Sequence, residues 1–334
     1  MLSEARFRGL QSALILLTLL LALISLCLGQ YHLPLSKVIS RLLHSQQQPD
    51  IASQIVWSVR LPRVVMAFMC GAALGLSGAT LQGVFRNPLV DPHIIGVTSG
   101  AAFGGTLAIL LGLSPLLMMG STFGFGLTAL GLVYLIATLQ GRESTLVLIL
   151  SGIILSGFFA ALVSLMQYMA DTEEVLPNIV FWLLGSFATA NWHKISLIVA
   201  PVLLTGGVLF ALRWRINLLS LDEKDARALG VSVRPLRRVV LICCALLVAA
   251  QVAVSGSIAW TGLVIPHLAR LFVGADHRRL LPTAFWLGGA FMVAADDLAR
   301  TLTAAEIPIG IITALVGAPV FTFLLIYSNR RSAR

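Results

Sequence analysis

Apolar segments of about twenty residues recur along the whole chain, and this constrains its fold more than any other feature, because a helix needs roughly 20 residues to cross a bilayer's hydrocarbon core. Of the 334 residues, 58% are hydrophobic and 11% charged, with a mean hydropathy of +0.94. Soluble domains carry about 25% charged residues, and one or two soluble cores cannot hide such an apolar surplus without a charged skin. A soluble enzyme, a disordered chain and a disulfide scaffold are excluded. What remains is an all-α polytopic membrane protein.

About ten spans are predicted, at 10–28, 62–85, 93–113, 115–138, 145–168, 193–213, 237–255, 258–273, 280–301 and 308–328. The first follows Arg6 and Arg8, as a signal peptide would, but Gln30-Tyr31-His32-Leu33-Pro34 comes where a small-residue cleavage site belongs. The net charge of +9 reads as cationic loops on the cytoplasmic side, not as a nucleic-acid surface. With both termini inside, the cytoplasmic segments hold Arg6, Arg8, Arg86, Arg142, Arg213, Arg215, Lys224, Arg227, Arg234, Arg237, Arg238, Arg270, Arg278, Arg279, Arg330, Arg331 and Arg334, which is 17 of 23 cations. Lys37, Arg41, Arg60, Arg63, Lys194 and Arg300 stay outside. Cys27, Cys70, Cys243 and Cys244 all lie in apolar segments without CxxC spacing, so neither a metal site nor a disulfide framework is read.

The sequence repeats weakly. Leu61–Val65 resembles Leu236–Val240, and Leu89–His93 resembles Leu263–His267, at offsets of 175 and 174. Five spans separate the copies, so they enter the membrane in opposite directions, as the inverted repeats of transporters do. The expected layout is one transmembrane domain, 1–334, with a first repeat at 62–168 (spans 2–5), a cytoplasmic loop at 217–236 and a second repeat at 237–328 (spans 7–10).

That loop is the longest inside. Ser220 and Glu223 have capping-box spacing, Gly230 suits a helix stop and Pro235 a helix start. Two short helices with a bend are expected, offering Ala226, Ala228 and Leu229 as an apolar knob. A solvated connector and a docking element for a cytoplasmic partner both fit. Lys37, Lys194 and Lys224 precede Val38, Ile195 and Asp225, so no Gly-Lys-Ser/Thr phosphate loop exists, and ATP-driven work needs a separate ATPase. Outside, Arg60 and Arg63 flank Pro62 on an expected exposed ledge, and Arg300 ends span 9. Arginine forks suit a partner's carboxylates; snorkelling is the alternative. Asp296 and Asp297 can pair locally with Arg300. Gly71/Gly75, Gly100/Gly104 and Gly120/Gly124 have the spacing of close helix packing. Gly75-Leu76-Ser77-Gly78 matches the short motif of intramembrane serine proteases, with His93 or His267 as base, but small-residue packing explains it as well.

Arg60-Leu61-Pro62-Arg63, Gln82–Leu89, Asp225–Gly230, Gly262–His267, Asp276–Arg278, Glu306–Gly310 and Gly317–Phe321 together resemble the iron-chelate and vitamin B12 permeases (FecCD type) of bacterial ABC importers, over about residues 10–328. The resemblance implies a type II ABC importer permease in the bacterial inner membrane. It would dimerise, its single ten-helix unit permitting an identical copy, around a pathway for a metal chelate, with two ATPase subunits inside and a periplasmic substrate-binding protein outside. ATP and magnesium would belong to the ATPase, and the chain itself would bind no cofactor and not be an enzyme. Arg60, Arg63 and Arg300 match the outer docking arginines. Asp225, Ala226, Arg227, Ala228, Leu229 and Gly230 match the coupling element, and Asn87, Leu89, Ser144 and Thr145 the inner gate. Met166, Tyr168 and Met169 would line the outer mouth. Gly262–Arg270 looks slightly more like the heme and B12 branches, which favours heme over siderophore or cobalamin. An ion-coupled secondary transporter is the competing class, though no mid-membrane acid or proton relay supports it.

Overall fold

The computed structural model describes residues 3–44, 50–141, 144–221, 223–303 and 305–332. Among these, every regular element is a helix. The ten long ones are α1 (Glu4–Cys27), α4 (Leu61–Val84), α5 (Val97–Leu110), α6 (Pro115–Leu139), α7 (Thr145–Met169), α9 (Trp192–Leu219), α11 (Val233–Ser255), α12 (Thr261–Val273), α13 (His277–Thr301) and α14 (Ile309–Ser332). They match the ten predicted spans in order. By length and composition six helices can cross a membrane, counting Ile51–Val84 as one. Val97–Leu110 and Thr261–Val273 are shorter, and α13 is long enough but carries charges at both ends.

Local chemistry sets the starts. Asn191 Oδ1 accepts from Lys194 N at 2.9 Å, Ser144 Oγ from Val147 N at 3.3 Å, and Asp276 Oδ1 from Arg278 N at 3.0 Å. Each supplies a partner for a helix-end amide that has none inside the helix.

Several boundaries depart from expectation. Pro62 is not in the first turn of span 2. A continuous rod begins with α3 (Ile51–Gln54), passes through a π-helical stretch at Ile55–Arg60 and runs on as α4. The wider turn lies just where Pro62 withholds an amide hydrogen from the ladder. Span 3 is broken: a 3₁₀ turn at Pro92–Ile95 and a left-handed Gly96 (φ 81°) precede α5. Two further short helices, α2 (Leu35–Leu43) and α8 (Val175–Leu183), were not expected.

The packing follows the inverted repeat. α4, first in its repeat, packs on α12 and α13, the second and third helices of the other. Its counterpart α11 packs reciprocally on α5 and α6. α4 and α11 also touch each other and are the most buried of the long apolar helices. The repeat Leu61–Val65 with Leu236–Val240 falls near the starts of these paired helices. The second sequence match does not hold: Leu89–His93 lies before α5, whereas Leu263–His267 lies inside α12.

Close approach relies on missing side chains. A Cβ at Gly71 or Gly75 would collide with the carbonyl oxygens of Gly288 and Ala284 on α13, and Gly100 and Gly104 press on Phe125 and Ser121 of α6. Gly120 and Gly124, expected to pack likewise, meet nothing within 4 Å. The four cysteines are free, and three of them are buried.

Candidate functional sites at the two ends of the bundle

The ends of α1 and α13 and the starts of α4 and α14 form one end of the bundle. Arg63 reaches two carboxylates. Its Nε and Nη2 donate to Asp296 at 2.8 Å each, and its Nη1 and Nη2 donate to Glu306 at 3.0 and 2.5 Å. Ser186 Oγ also donates to Glu306, at 3.5 Å. Arg300 donates to Asp297 at 2.5 Å, to Ser25 Oγ at 2.7 Å and to the Leu28 carbonyl at 3.0 Å, while Ser25 Oγ donates to Asp297 at 2.7 Å. Arg60 donates to the Leu26 and Tyr31 carbonyls at 2.7 and 2.5 Å, pinning the chain as it leaves α1. Two guanidinium groups thus stand beside three carboxylates while carbonyls hold the third, and charges so far from water persist only when paired or hydrogen-bonded.

This corrects the exposed ledge. Arg60 is only 4% exposed, and the side chains of Arg63 and Arg300 are 12% and 9% exposed. The local partner expected for Arg300 is there in Asp297; Asp296 serves chiefly Arg63, more than two hundred residues away in sequence. Ser25 and Glu306 were missed as members. Glu306 was visible only as one residue of a motif, and nothing local marks Ser25.

The opposite end is basic. Here α4 finishes, α9 runs into the short helix α10 (Glu223–Ala228), and α13 begins. Gly230 is left-handed, with φ +79°, and α11 starts three residues later, so a single short helix and a sharp turn replace the two helices expected. Pro235 is absorbed into the first turn of α11. Ser220 Oγ points to the Gly83 and Ile216 carbonyls at 3.4 and 3.5 Å, and among the described residues no amide of α10 donates to it. Ala226 faces inward, fully buried, so the exposed knob consists of Ala228 and Leu229, with Asp225, Arg227 and Gly230 around it. Arg227 pairs with Glu223 at 2.6 Å.

Behind this elbow lies a polar hub that was not foreseen. Asn217 donates to Asp276 Oδ1 at 2.7 Å and accepts from the His277 backbone amide at 2.8 Å. The His277 ring lies 2.8 Å from Asn217 Oδ1 and 3.3 Å from the Ala79 carbonyl. Arg270 donates to Gln82 Oε1 at 2.6 Å. α4, α9, α12 and α13 are thereby tied together. Burial raises the Asp276 carboxyl, but hydrogen bonds from Arg278 and Asn217 outweigh it and hold it at about 2.

The other sequence candidates separate by position. Asn87 accepts from Leu89 N at 2.9 Å in a turn after α4, and Leu89 is exposed. Ser144 caps α7 and Thr145 is its first residue, also at the basic end. At the far end of α7, Tyr168 and Met169 are exposed and Met166 is half-buried. Ser77 is fully buried, donates to the Leu74 carbonyl at 3.1 Å and sits beside glycines that hold α4 against its neighbours, so its motif is a packing face. Of the cations counted on the inner side, Arg142 and Arg334 and the side chains of Arg330 and Arg331 lie outside the described residues.

A helical bundle of inverted repeats, with a charge-neutralised end and a jointed basic end, defines a polytopic transporter subunit. The chain belongs to the FecCD transport family, whose model matches residues 16–327. It is 52% identical over 322 residues to the molybdate import system permease MolB of Haemophilus influenzae, covering 95% of each chain. It is 39% identical over 323 residues to the hemin transport system permease HmuU of Yersinia pestis, covering 95% of this chain and 96% of that one. A solved inward-facing conformation of a metal-chelate type ABC transporter superposes with a TM-score of 0.88 at 52% identity, covering 96% of this chain and 99% of that one.

Proposed function

We propose that this permease forms the pathway of an ATP-driven importer in the bacterial inner membrane, with its basic end in the cytoplasm, and that its cargo is a molybdate-class metal oxyanion or a chelate of one. The cargo reading rests on one observation, the 52% identity to a molybdate permease across 95% of both chains. Hemin is the second reading, supported by the Gly262–Arg270 stretch and by the 39% identical hemin permease. Uptake in cells dependent on this chain separates them. Molybdate accumulation lost on deletion and restored by the gene supports the first, and restored hemin uptake with unchanged molybdate supports the second.

The elbow, Asp225–Gly230, is proposed to seat in a cytoplasmic ATPase subunit. Its exposed Ala228 and Leu229 provide contact, and the hub at Asn217 carries movement into α4 and α13. A second copy of the chain completes the pathway, with Asn87, Leu89, Ser144 and Thr145 around its inner mouth and Met166, Tyr168 and Met169 near its outer one. A substrate-binding protein docks at the ion-paired end. Because Arg60, Arg63 and Arg300 are engaged internally, docking through them requires exchange of an internal carboxylate or carbonyl for one on the partner. Arg300→Gln should weaken capture of the binding protein without altering the ATPase bound. Full capture by that variant would remove Arg300 from the docking set.

A further inference from the structure

Two adjoining cavities of about 480 and 520 Å³ open at the basic end, sharing the 230–235 turn between α10 and α11. The first has an apolar floor of Leu212, Leu236 and Val239, walled by Trp214 and Arg215; Arg234 borders the second. Of the other arginines that line cavities, Arg270 is engaged by Gln82 at 2.6 Å and the rest are ion-paired. Arg278 meets Asp276 at 2.9 Å, Arg279 meets Glu4 at 2.6 Å, Arg227 meets Glu223 at 2.6 Å, and Arg300 meets Asp297 at 2.5 Å. Arg215 and Arg234 are exposed and have no carboxylate within ion-pair distance among the described residues. They flank one groove and leave two guanidinium forks unmatched there.

We propose that this groove binds an anionic phospholipid of the surrounding leaflet, its phosphodiester between Arg215 and Arg234 and the start of an acyl chain on the Leu212–Leu236–Val239 floor. Guanidinium forks match phosphate oxygens. A half-exposed tryptophan beside arginine at the end of a spanning helix is the pattern of a membrane-interface anchor. Basic pockets between spanning helices on the cytoplasmic side suit anionic headgroups. The groove abuts the Gly230 turn, so a bound lipid would brace the elbow from behind.

The test is native mass spectrometry of the full-length chain in detergent, titrated with phosphatidylglycerol and separately with phosphatidylcholine. Phosphatidylglycerol should bind about tenfold more tightly or better, from roughly two added charge contacts near the surface. Arg215→Gln with Arg234→Gln should reduce that preference to under about twofold. Arg6→Gln with Arg8→Gln removes the same charge from exposed positions on α1 and should leave it intact. Lysine at both groove positions should restore most of it. An equal affinity of the unaltered chain for both lipids overturns the proposal. So does equal loss in the two glutamine pairs, which would mean a nonspecific charge effect. Loss of bound lipid whenever the ATPase assembles would assign the groove to that subunit and overturn it as well.

Discussion

The two ends of the bundle handle charge in opposite ways. At one end, Arg63, Arg300, Asp296 and Asp297 are withdrawn from water and matched to one another by segments that lie far apart in sequence. At the other, the ion pairs sit at the surface, with Arg227 and Glu223 side chains 59% and 37% exposed, while the neutral Asn217 and Gln82 each tie one helix to a charged group on another. Removing one member of a buried pair strands a charge, whereas a surface pair competes with water and salt throughout. The first arrangement locks α1, α4, α13 and α14 into one geometry. The second leaves an elbow that can be pushed.

The contrast can be broken most easily at Arg63. Arg63→Ala should cost about 3–5 kcal/mol, because Asp296 would remain buried and uncompensated. Unfolding midpoints in detergent measure this, and a loss under about 1 kcal/mol would remove the claim that this end is locked by charge. Next in size is Asn217→Ala, expected to cost about 1–3 kcal/mol by leaving the His277 amide without a partner and removing one of the donors to Asp276. Its effect on the coupling of ATP hydrolysis to uptake should exceed its effect on stability. Gly230→Leu meets no neighbour but needs a left-handed backbone, so a cost of about 1–2 kcal/mol is expected, with ATPase activity retained and transport reduced. Unchanged coupling in that variant would count against the elbow.

Asp276 adds a pH dependence. Its folded value, about 2, lies below its ordinary 3.8, so its contribution is present above 3.8 and is lost as pH falls through 2. The stability difference between the unaltered chain and Asp276→Asn should therefore be flat from neutral pH to about 5 and shrink below about 4. The smallest effect belongs to Arg227→Ala, within about 0.5 kcal/mol. A large loss there would erase the distinction between the two ends.

Helices were the most legible part of the chain. Ten apolar segments announce ten helices, whereas the caps at Asn191 and Ser144 became visible only in the structure. Where backbone geometry departs from the regular helix, the text is weaker. The π turn before Pro62 goes with proline's missing amide hydrogen and the 3₁₀ break before α5 with a left-handed Gly96, and apolar composition alone reveals neither. The arginines at 60, 63 and 300 were legible as important, but their burial was not, because Asp296 and Glu306 reach Arg63 from more than two hundred residues away. The Asn217–Asp276–His277 hub escaped for the same reason: an asparagine near a helix end has no local signature of a distant partner. The paired glycines illustrate both outcomes, since Gly71/Gly75 meet α13 and Gly120/Gly124, with the same spacing, face outward.

On the function proposed, this chain forms a pathway driven from its basic elbow by a separate ATPase subunit. Purified chain in sealed vesicles, with and without the ATPase and binding protein, tests it directly. Cargo should enter only when both partners and ATP are present, and Gly230→Leu should abolish entry while ATP is still hydrolysed. Accumulation by the chain alone, driven by an ion gradient, would contradict it.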